Sequence, residues 1–177
     1  VHLAQASTFA LTLQNGIGNA EAIAEVFLAE QVLMGVTDMP ADLEAPTRVS
    51  SHGHGTVRLG SYRPQGDDGA KAAVALLRGA GIDAYHDGAI EGGVWEKVAF
   101  NAALNSIATV TGLTVGGMDT PAGRRVAFAI AREVVATAAA KGLSIDIARI
   151  EGKIDFALQH HRQHKASMLQ DRLAGRR

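Results

Sequence analysis

The stretch VWEKVAFNAALNSIATVTG, residues 94–112, is apolar on most sides and carries polar side chains at four-residue steps, Lys97, Asn101 and Asn105. In an α-helix these positions advance about 40° per step, so the three side chains form one polar edge about 80° wide. A helix this apolar is expected to be buried. Burying an ammonium group and two carboxamides is costly unless a polar partner, water or a ligand meets them.

The composition of the chain narrows the classes of function. With 177 residues and 47% hydrophobic residues, the chain can bury a core as one domain or as two small ones. Its 17 basic and 18 acidic residues nearly balance, which favours a small-molecule partner over nucleic acid or a membrane. The absence of cysteine excludes disulfides, thiolate catalysis and cysteine-ligated metals, and it suits the cytoplasmic location that we expect.

Strand and helix patterns alternate in the first half of the chain. Residues 8–14 and 31–37 predict strands, and between them a helix is expected from an N-cap at Asn19 to about Ala29. This βαβ order is typical of a parallel sheet. The segments TRVSSH and GTVRLG, on either side of residues 52–55, predict an antiparallel hairpin. A helix over about 68–79 and a strand over 81–86 complete the α/β part.

The second half predicts only helices, over about 92–111, 121–141 and 147–163, with a fourth that starts near Ser167. Thr120, Gly142 and Asp146 have the residue types of helix ends, and Ser167 with Gln170 matches a capping box. We therefore predict two domains, residues 1–90 (α/β) and 91–177 (all-α).

A half-buried lysine beside two asparagines has a chemical interpretation. Lys97 can donate a proton to a substrate carbonyl and stabilise the charge that develops there, while Asn101 and Asn105 orient the substrate. A structural interpretation is also open, in which Lys97 reaches solvent and the asparagines bond to loop carbonyls.

Five segments in order resemble the ketopantoate reductase (2-dehydropantoate 2-reductase) family: QNGIGN (14–19), LMGVT (33–37), GTVRLG (55–60), WEKVAFNAALN (95–105) and SMLQD (167–171). The resemblance covers almost the whole chain. It implies a dinucleotide-binding domain followed by a helical domain, which together reduce 2-dehydropantoate to pantoate with NADPH on the route to pantothenate and coenzyme A. It also implies that Lys97 is the catalytic proton donor and that Asn101, Asn105 and Ser167 bind the 2-keto acid substrate.

The same resemblance implies an NADP site. Asn15 is expected beside the nicotinamide and the substrate, and Ala41 is expected to contact the cofactor through its backbone. The phosphate-binding G-x-G-x-x-G of dinucleotide domains does not occur in this sequence. We therefore expect residues 1–90 to be the C-terminal part of a Rossmann-like nucleotide-binding domain, and residues 91–177 to stop just short of the family's T-E-I-D segment. A homodimer is also compatible with this family.

Alternative functions remain open at this stage. The chain could be a related hydroxyacid or opine-type dehydrogenase with another substrate, or residues 92–177 could form a non-catalytic helical dimerisation module. His52 with His54, and His160 with His164, have the spacing of metal-ligand pairs, but no third ligand is evident near either pair. We therefore predict no metal site, and we interpret His161 as part of a solvated polar cluster.

Overall fold

The computed structural model describes residues 5, 7–39, 41–51 and 55–176, except for the side chain of Asp42. The chain divides into two compact units, Val1–Val94 and Trp95–Arg177. The first contains a β-sheet with helices and the second is helical. The predicted fold class, an α/β part followed by an all-α part, is therefore confirmed.

The first unit is built on a four-stranded mixed sheet. Its chain contains the strands β1 (Ala10–Thr12), β2 (Val32–Thr37), β3 (Asp42–Ala45), β4 (Arg48–Ser50), β5 (Thr56–Ser61) and β6 (Asp83–His86). The sheet has the order β1-β2-β5-β6, in which β1 and β2 are parallel, as are β5 and β6, whereas β2 and β5 are antiparallel. The predicted parallel βαβ unit is present as β1, the helix α1 (Asn19–Ala24) and β2.

The predicted hairpin of TRVSSH with GTVRLG is wrong. β4 pairs with β3 in a separate two-stranded sheet, whereas β5 lies between β2 and β6. Only Pro46 and Thr47 separate β3 from β4, so this pairing closes a shorter loop than a pairing across residues 52–55 would. β5 also gains hydrogen-bonded partners on both of its edges by joining the larger sheet.

Helix α1 is shorter than predicted, and its N-cap is Gly18 with φ +90° instead of Asn19. A 3₁₀ turn at Ala29–Gln31 replaces the end of the expected helix. The side chain of Gln31 is buried, donates to the Gln5 carbonyl at 2.7 Å and accepts from the Leu28 N–H at 3.3 Å. These bonds hold the chain in the turn that leads into β2.

The helix α2 (Asp67–Gly79) covers one face of the sheet. The core of this unit consists of Leu33, Val57, Leu59, Ala70, Val74 and Ala84. Alternate strand residues and residues four apart on the helix meet here, which is the periodicity expected of a half-buried sheet and an amphipathic helix.

Among the described residues, four α-helices lie wholly or mostly in the second unit: α3 (Ile90–Thr111), α4 (Pro121–Ala140), α5 (Ile147–His160) and α6 (Ser167–Leu173). A 3₁₀ turn, Val115–Met118, precedes α4. Small residues on α3, Ala99, Ala103 and Ala108, let the other helices approach its axis closely, and they pack with Ile150, Ile154, Leu158 and Leu169. Among the described residues, no helix is both long enough and apolar enough to cross a membrane.

The predicted helix ends in the second unit are mostly confirmed. Thr120 accepts from the Gly123 N–H at 3.0 Å, Asp146 accepts from the N–H groups of Ala148 and Arg149, and Gly142 has φ +83°. The predicted cap of α6 is wrong. Its N-cap is Ala166, so Ser167 is the first helical residue and makes no capping bond. The chain turns at Ala166 because that small side chain is buried against the helical core.

Candidate substrate-binding site

A cavity of about 160 Å³ lies within the second unit, between α3 and the segment that joins α5 to α6. Typical pockets for drug-sized ligands measure about 300–1,000 Å³, so this cavity suits a small molecule. Its walls combine apolar side chains with a few polar ones: Phe100, Asn101, Leu104, Asn105, Val115, Ala157, His161, His164, Ala166 and Ser167. Three residues predicted for the site from the sequence, Asn101, Asn105 and Ser167, therefore border the same cavity.

The asparagines are presented by α3. Asn105 is only 8% exposed and Asn101 is half-buried. The carbonyl oxygen of Asn105 accepts from the Thr109 hydroxyl at 2.7 Å, but within the described residues neither carboxamide forms a hydrogen bond. Buried amides nearly always have hydrogen-bond partners. These two carboxamides are thus available to a ligand in the cavity.

The segment that joins α5 to α6, residues 161–166, is fixed through its backbone. The N–H of Val115 donates to the carbonyl of His164 at 2.9 Å, and the N–H of Gly116 donates to the carbonyl of Arg162 at 2.9 Å. Further on, the guanidinium of Arg172 donates to the carbonyl of Thr109 on α3. The walls that carry His164 and Ser167 are therefore tied to the 3₁₀ turn and to α3.

An ion-pair network reinforces this arrangement. Asp119 accepts from Arg124 at 2.8 Å and from Arg162 at 3.0 Å, and Arg124 also pairs with Asp155 on α5. The hydrogen bond from Arg124 is the main reason that the pKa of Asp119 lies below its ordinary value; partial burial opposes this effect and Arg162 adds to it. One carboxylate thus joins the start of α4 to the 161–166 segment.

Lys97 does not line this cavity. It is half-buried and lies one helical turn before Asn101 on α3, about 40° around the helix axis. Asn15 and Ala41, the other predicted residues, belong to the first unit, where both are exposed. The structure therefore brings together the predicted substrate-binding residues of the helical unit only.

Sequence reasoning missed two cavity residues. His161 and His164 line the cavity, although we interpreted the first as solvated and the second as half of a histidine pair without a third metal ligand. His160 instead stacks on Phe156 with ring centroids 4.2 Å apart. The described residues contain no group of three or more His, Asp or Glu side chains suited to a metal ion, and His52 and His54 lie outside them.

A larger groove of about 520 Å³ lies beside α3 and the start of α4. Its polar side chains are the hydroxyls of Ser106, Thr111 and Thr120. The first two donate to carbonyls of their own helix, and the third caps α4. This groove therefore offers little to a polar substrate, which favours the smaller cavity as the site.

Two protein-family models match the sequence. The model described as "Ketopantoate reductase PanE/ApbA C terminal" matches residues 89–177, and "Ketopantoate reductase PanE/ApbA" matches residues 2–64. A 2-dehydropantoate 2-reductase of Halobacterium salinarum is 32% identical over 168 residues, which cover 94% of this chain and 55% of that protein. The chain thus spans about half the length of the curated relatives that it matches.

Solved structures also resemble the chain. The 2-dehydropantoate 2-reductase of Geobacter metallireducens GS-15 superposes with a TM-score of 0.90 at 30% identity, covering 98% of this chain and 58% of that one. A D-mandelate dehydrogenase in complex with NADH gives a TM-score of 0.93 at 24% identity, covering 99% and 60%. Because the identity to D-mandelate dehydrogenase is only 24%, this similarity shows a shared fold and no more.

Proposed function

The chain belongs to the ketopantoate reductase family, and we propose that it acts as a 2-dehydropantoate 2-reductase that uses NADPH. One observation carries the proposal: the carboxamides of Asn101 and Asn105, unbonded among the described residues, border the same small cavity as Ser167. Relatives that are named 2-dehydropantoate 2-reductase support the choice of substrate.

The proposed reaction converts a keto group to a hydroxyl group by adding hydride to the carbon and a proton to the oxygen. A nicotinamide cofactor, when bound, would supply the hydride. Lys97 donates the proton from its ammonium group, and its positive charge stabilises the negative charge that develops on the oxygen. The neutral amine is then reprotonated by solvent.

The cavity orients the substrate for this transfer. Asn101 and Asn105 donate their amide N–H groups to oxygen atoms of the substrate, and Ser167 contributes a hydroxyl. Phe100, Leu104 and other apolar walls contact the methyl groups of the substrate and exclude water. Holding the substrate in one orientation removes part of the entropic cost of the reaction.

The first unit fits a nicotinamide cofactor. β1 and β2 are parallel neighbours, and Asn15 and Ala41 follow their carboxyl ends, which is where dinucleotides bind in open parallel sheets. At Gly16 and Gly18, with φ +99° and +90°, a Cβ would meet no atom within 4 Å, so the backbone there is open to a ligand. We propose that Asn15 binds through its side chain and Ala41 through its backbone.

The purified full-length protein, assayed with a panel of 2-keto acids and both reduced nicotinamide cofactors, tests the proposal. We expect 2-dehydropantoate to have the highest kcat/KM and NADPH to be preferred over NADH. A higher kcat/KM with an aromatic or other 2-keto acid would instead indicate a related hydroxyacid dehydrogenase. Absence of 2-dehydropantoate-dependent NADPH oxidation would refute the assignment.

Light scattering combined with nucleotide titration tests the remaining alternative. A non-catalytic dimerisation module would self-associate without binding nucleotide. The reductase requires nucleotide binding, whether or not it forms a homodimer.

A further inference from the structure

Few of the described side chains that line the cavity in the second unit can carry a charge. Of the described residues that line it, only His161 and His164 have side chains that can become charged. No acidic residue, lysine or arginine is among them. The proposed substrate is a carboxylate, and moving a carboxylate out of water is costly unless a positive charge or several hydrogen bonds meet it.

His164 is the better placed of the two histidines. The backbone N–H of His164 donates to the carbonyl of His161 at 2.9 Å, and the carbonyl of His164 accepts from the backbone N–H of Val115 at 2.9 Å. The backbone of His164 is therefore held from both sides. The His161 ring packs edge-on against Phe156, with centroids 5.5 Å apart. Within the described part of the chain, the His164 ring has no hydrogen bond, ion pair or ring contact.

We propose that the protonated imidazole of His164 binds the carboxylate of the 2-keto acid next to the Ser167 hydroxyl. The proposal rests on the proposed reductase function and assigns it a specificity-determining residue.

Among the described residues, no lysine or arginine lines the cavity, so the imidazole of His164 is the group available to bind the substrate carboxylate. Asp119, which follows the 3₁₀ turn, is engaged by Arg124 and Arg162, and Arg124 also engages Asp155 of α5. Between residues 98 and 111, α3 carries no charged side chain. Only His161 among the remaining charged or titratable groups on α3, α5, α6 and the 161–166 segment lines the cavity; those groups are Glu91, Glu96, Lys97, Arg149, Glu151, Lys153, His160, His161, Lys165, Asp171 and Arg172.

His164→Gln tests the proposal, because glutamine keeps hydrogen-bonding capacity but carries no charge. The matched control is His160→Gln, since His160 stacks on Phe156 and lies outside the cavity lining. His164→Gln should raise KM for 2-dehydropantoate about tenfold and change kcat less than about twofold. The control should behave as the wild type.

Binding measurements separate this inference from the reductase assignment. Isothermal titration with 2-dehydropantoate and with its uncharged carboxamide should show that His164→Gln weakens binding of the acid only. If the wild type turns over no 2-keto acid, the reductase assignment fails. The calorimetric titration still tests whether His164 binds the carboxylate. If the wild type binds no acid, or if the variant binds acid as the wild type does, the His164 proposal is wrong even where turnover is intact.

Discussion

The backbone N–H of Gly116 donates to the carbonyl oxygen of Arg162 at 2.9 Å, which joins the 3₁₀ turn before α4 to the segment that leads to Ser167. A Cβ on Gly116 would lie 2.7 Å from the Cβ of Arg162 and 2.8 Å from its Cα and carbonyl oxygen. The two backbones approach so closely only because residue 116 has no side chain. One wall of the cavity therefore depends on this glycine.

Gly116→Ala should displace the 161–166 segment. We expect a loss of about 1–3 kcal/mol in the free energy of unfolding, as for other overpacked sites, together with a higher KM for the 2-keto acid. The matched control is Gly152→Ala on α5, where a Cβ would meet nothing within 4 Å. Because alanine favours a helix interior, the control should gain about 0.5–1 kcal/mol and keep the wild-type KM. Chemical denaturation and steady-state kinetics measure both quantities; an unchanged KM in Gly116→Ala would show that the contact does not shape the site.

Asp119→Asn should weaken the ion-pair network in a pH-dependent way. The pKa of Asp119 is lowered from 3.8 in the folded state, mainly by Arg124, so its ionised form stabilises the fold above that value. This stabilisation is lost as the pH falls through the folded-state pKa. The melting temperature of Asp119→Asn should thus lie below that of the wild type at about pH 6, and the gap should narrow below about pH 4.

Thermal unfolding followed by circular dichroism across this pH range provides the test. The control is Asp68→Asn, whose carboxylate is fully exposed and should leave the melting temperature unchanged. A gap for Asp119→Asn that stays constant with pH would contradict the role of the ionised carboxylate.

Ser167→Ala should separate binding from stability. Because Ala166 caps α6, loss of the Ser167 hydroxyl should change the free energy of unfolding by less than about 0.5 kcal/mol while KM rises severalfold. Asp146→Ala removes the carboxylate that caps α5. This variant should lower the free energy of unfolding by about 1 kcal/mol and leave KM unchanged. Denaturation and kinetics on both variants check this contrast. Equal losses of stability would restore the capping role for Ser167.

The fold could be predicted from the sequence wherever the signal was local. The polar steps within residues 94–112 and the end signals at Thr120, Gly142 and Asp146 depend on residues only a few positions apart, and the structure has the helices that they predict. The partner of β4 could not be predicted, because strand pairing depends on which edges the rest of the sheet leaves available. The 3₁₀ turn that replaces the end of the predicted helix includes a hydrogen bond from Gln31 to Gln5, 26 positions away, which a local pattern does not reveal.

The site shows the same limit. Helical spacing placed Asn101 and Asn105 on one edge of α3, and both border the cavity. The roles of His161 and His164 could not be inferred, because their positions depend on backbone bonds across the 3₁₀ turn to residues almost fifty positions away. The polar run HHRQH between two buried helices was the only available signal, and it resembles an ordinary solvated loop.

The kinetics of Lys97→Met test the central claim most directly. Methionine keeps an unbranched apolar side chain and removes the ammonium group, so the variant should fold while losing its proton donor. Lys141→Met, at an exposed position after α4, is the control. We predict that kcat for 2-dehydropantoate reduction falls about 10²–10⁴-fold in Lys97→Met and stays at the wild-type value in the control. Circular dichroism should show that both variants are folded. A kcat for Lys97→Met close to that of the wild type would contradict the assignment of Lys97 as the proton donor.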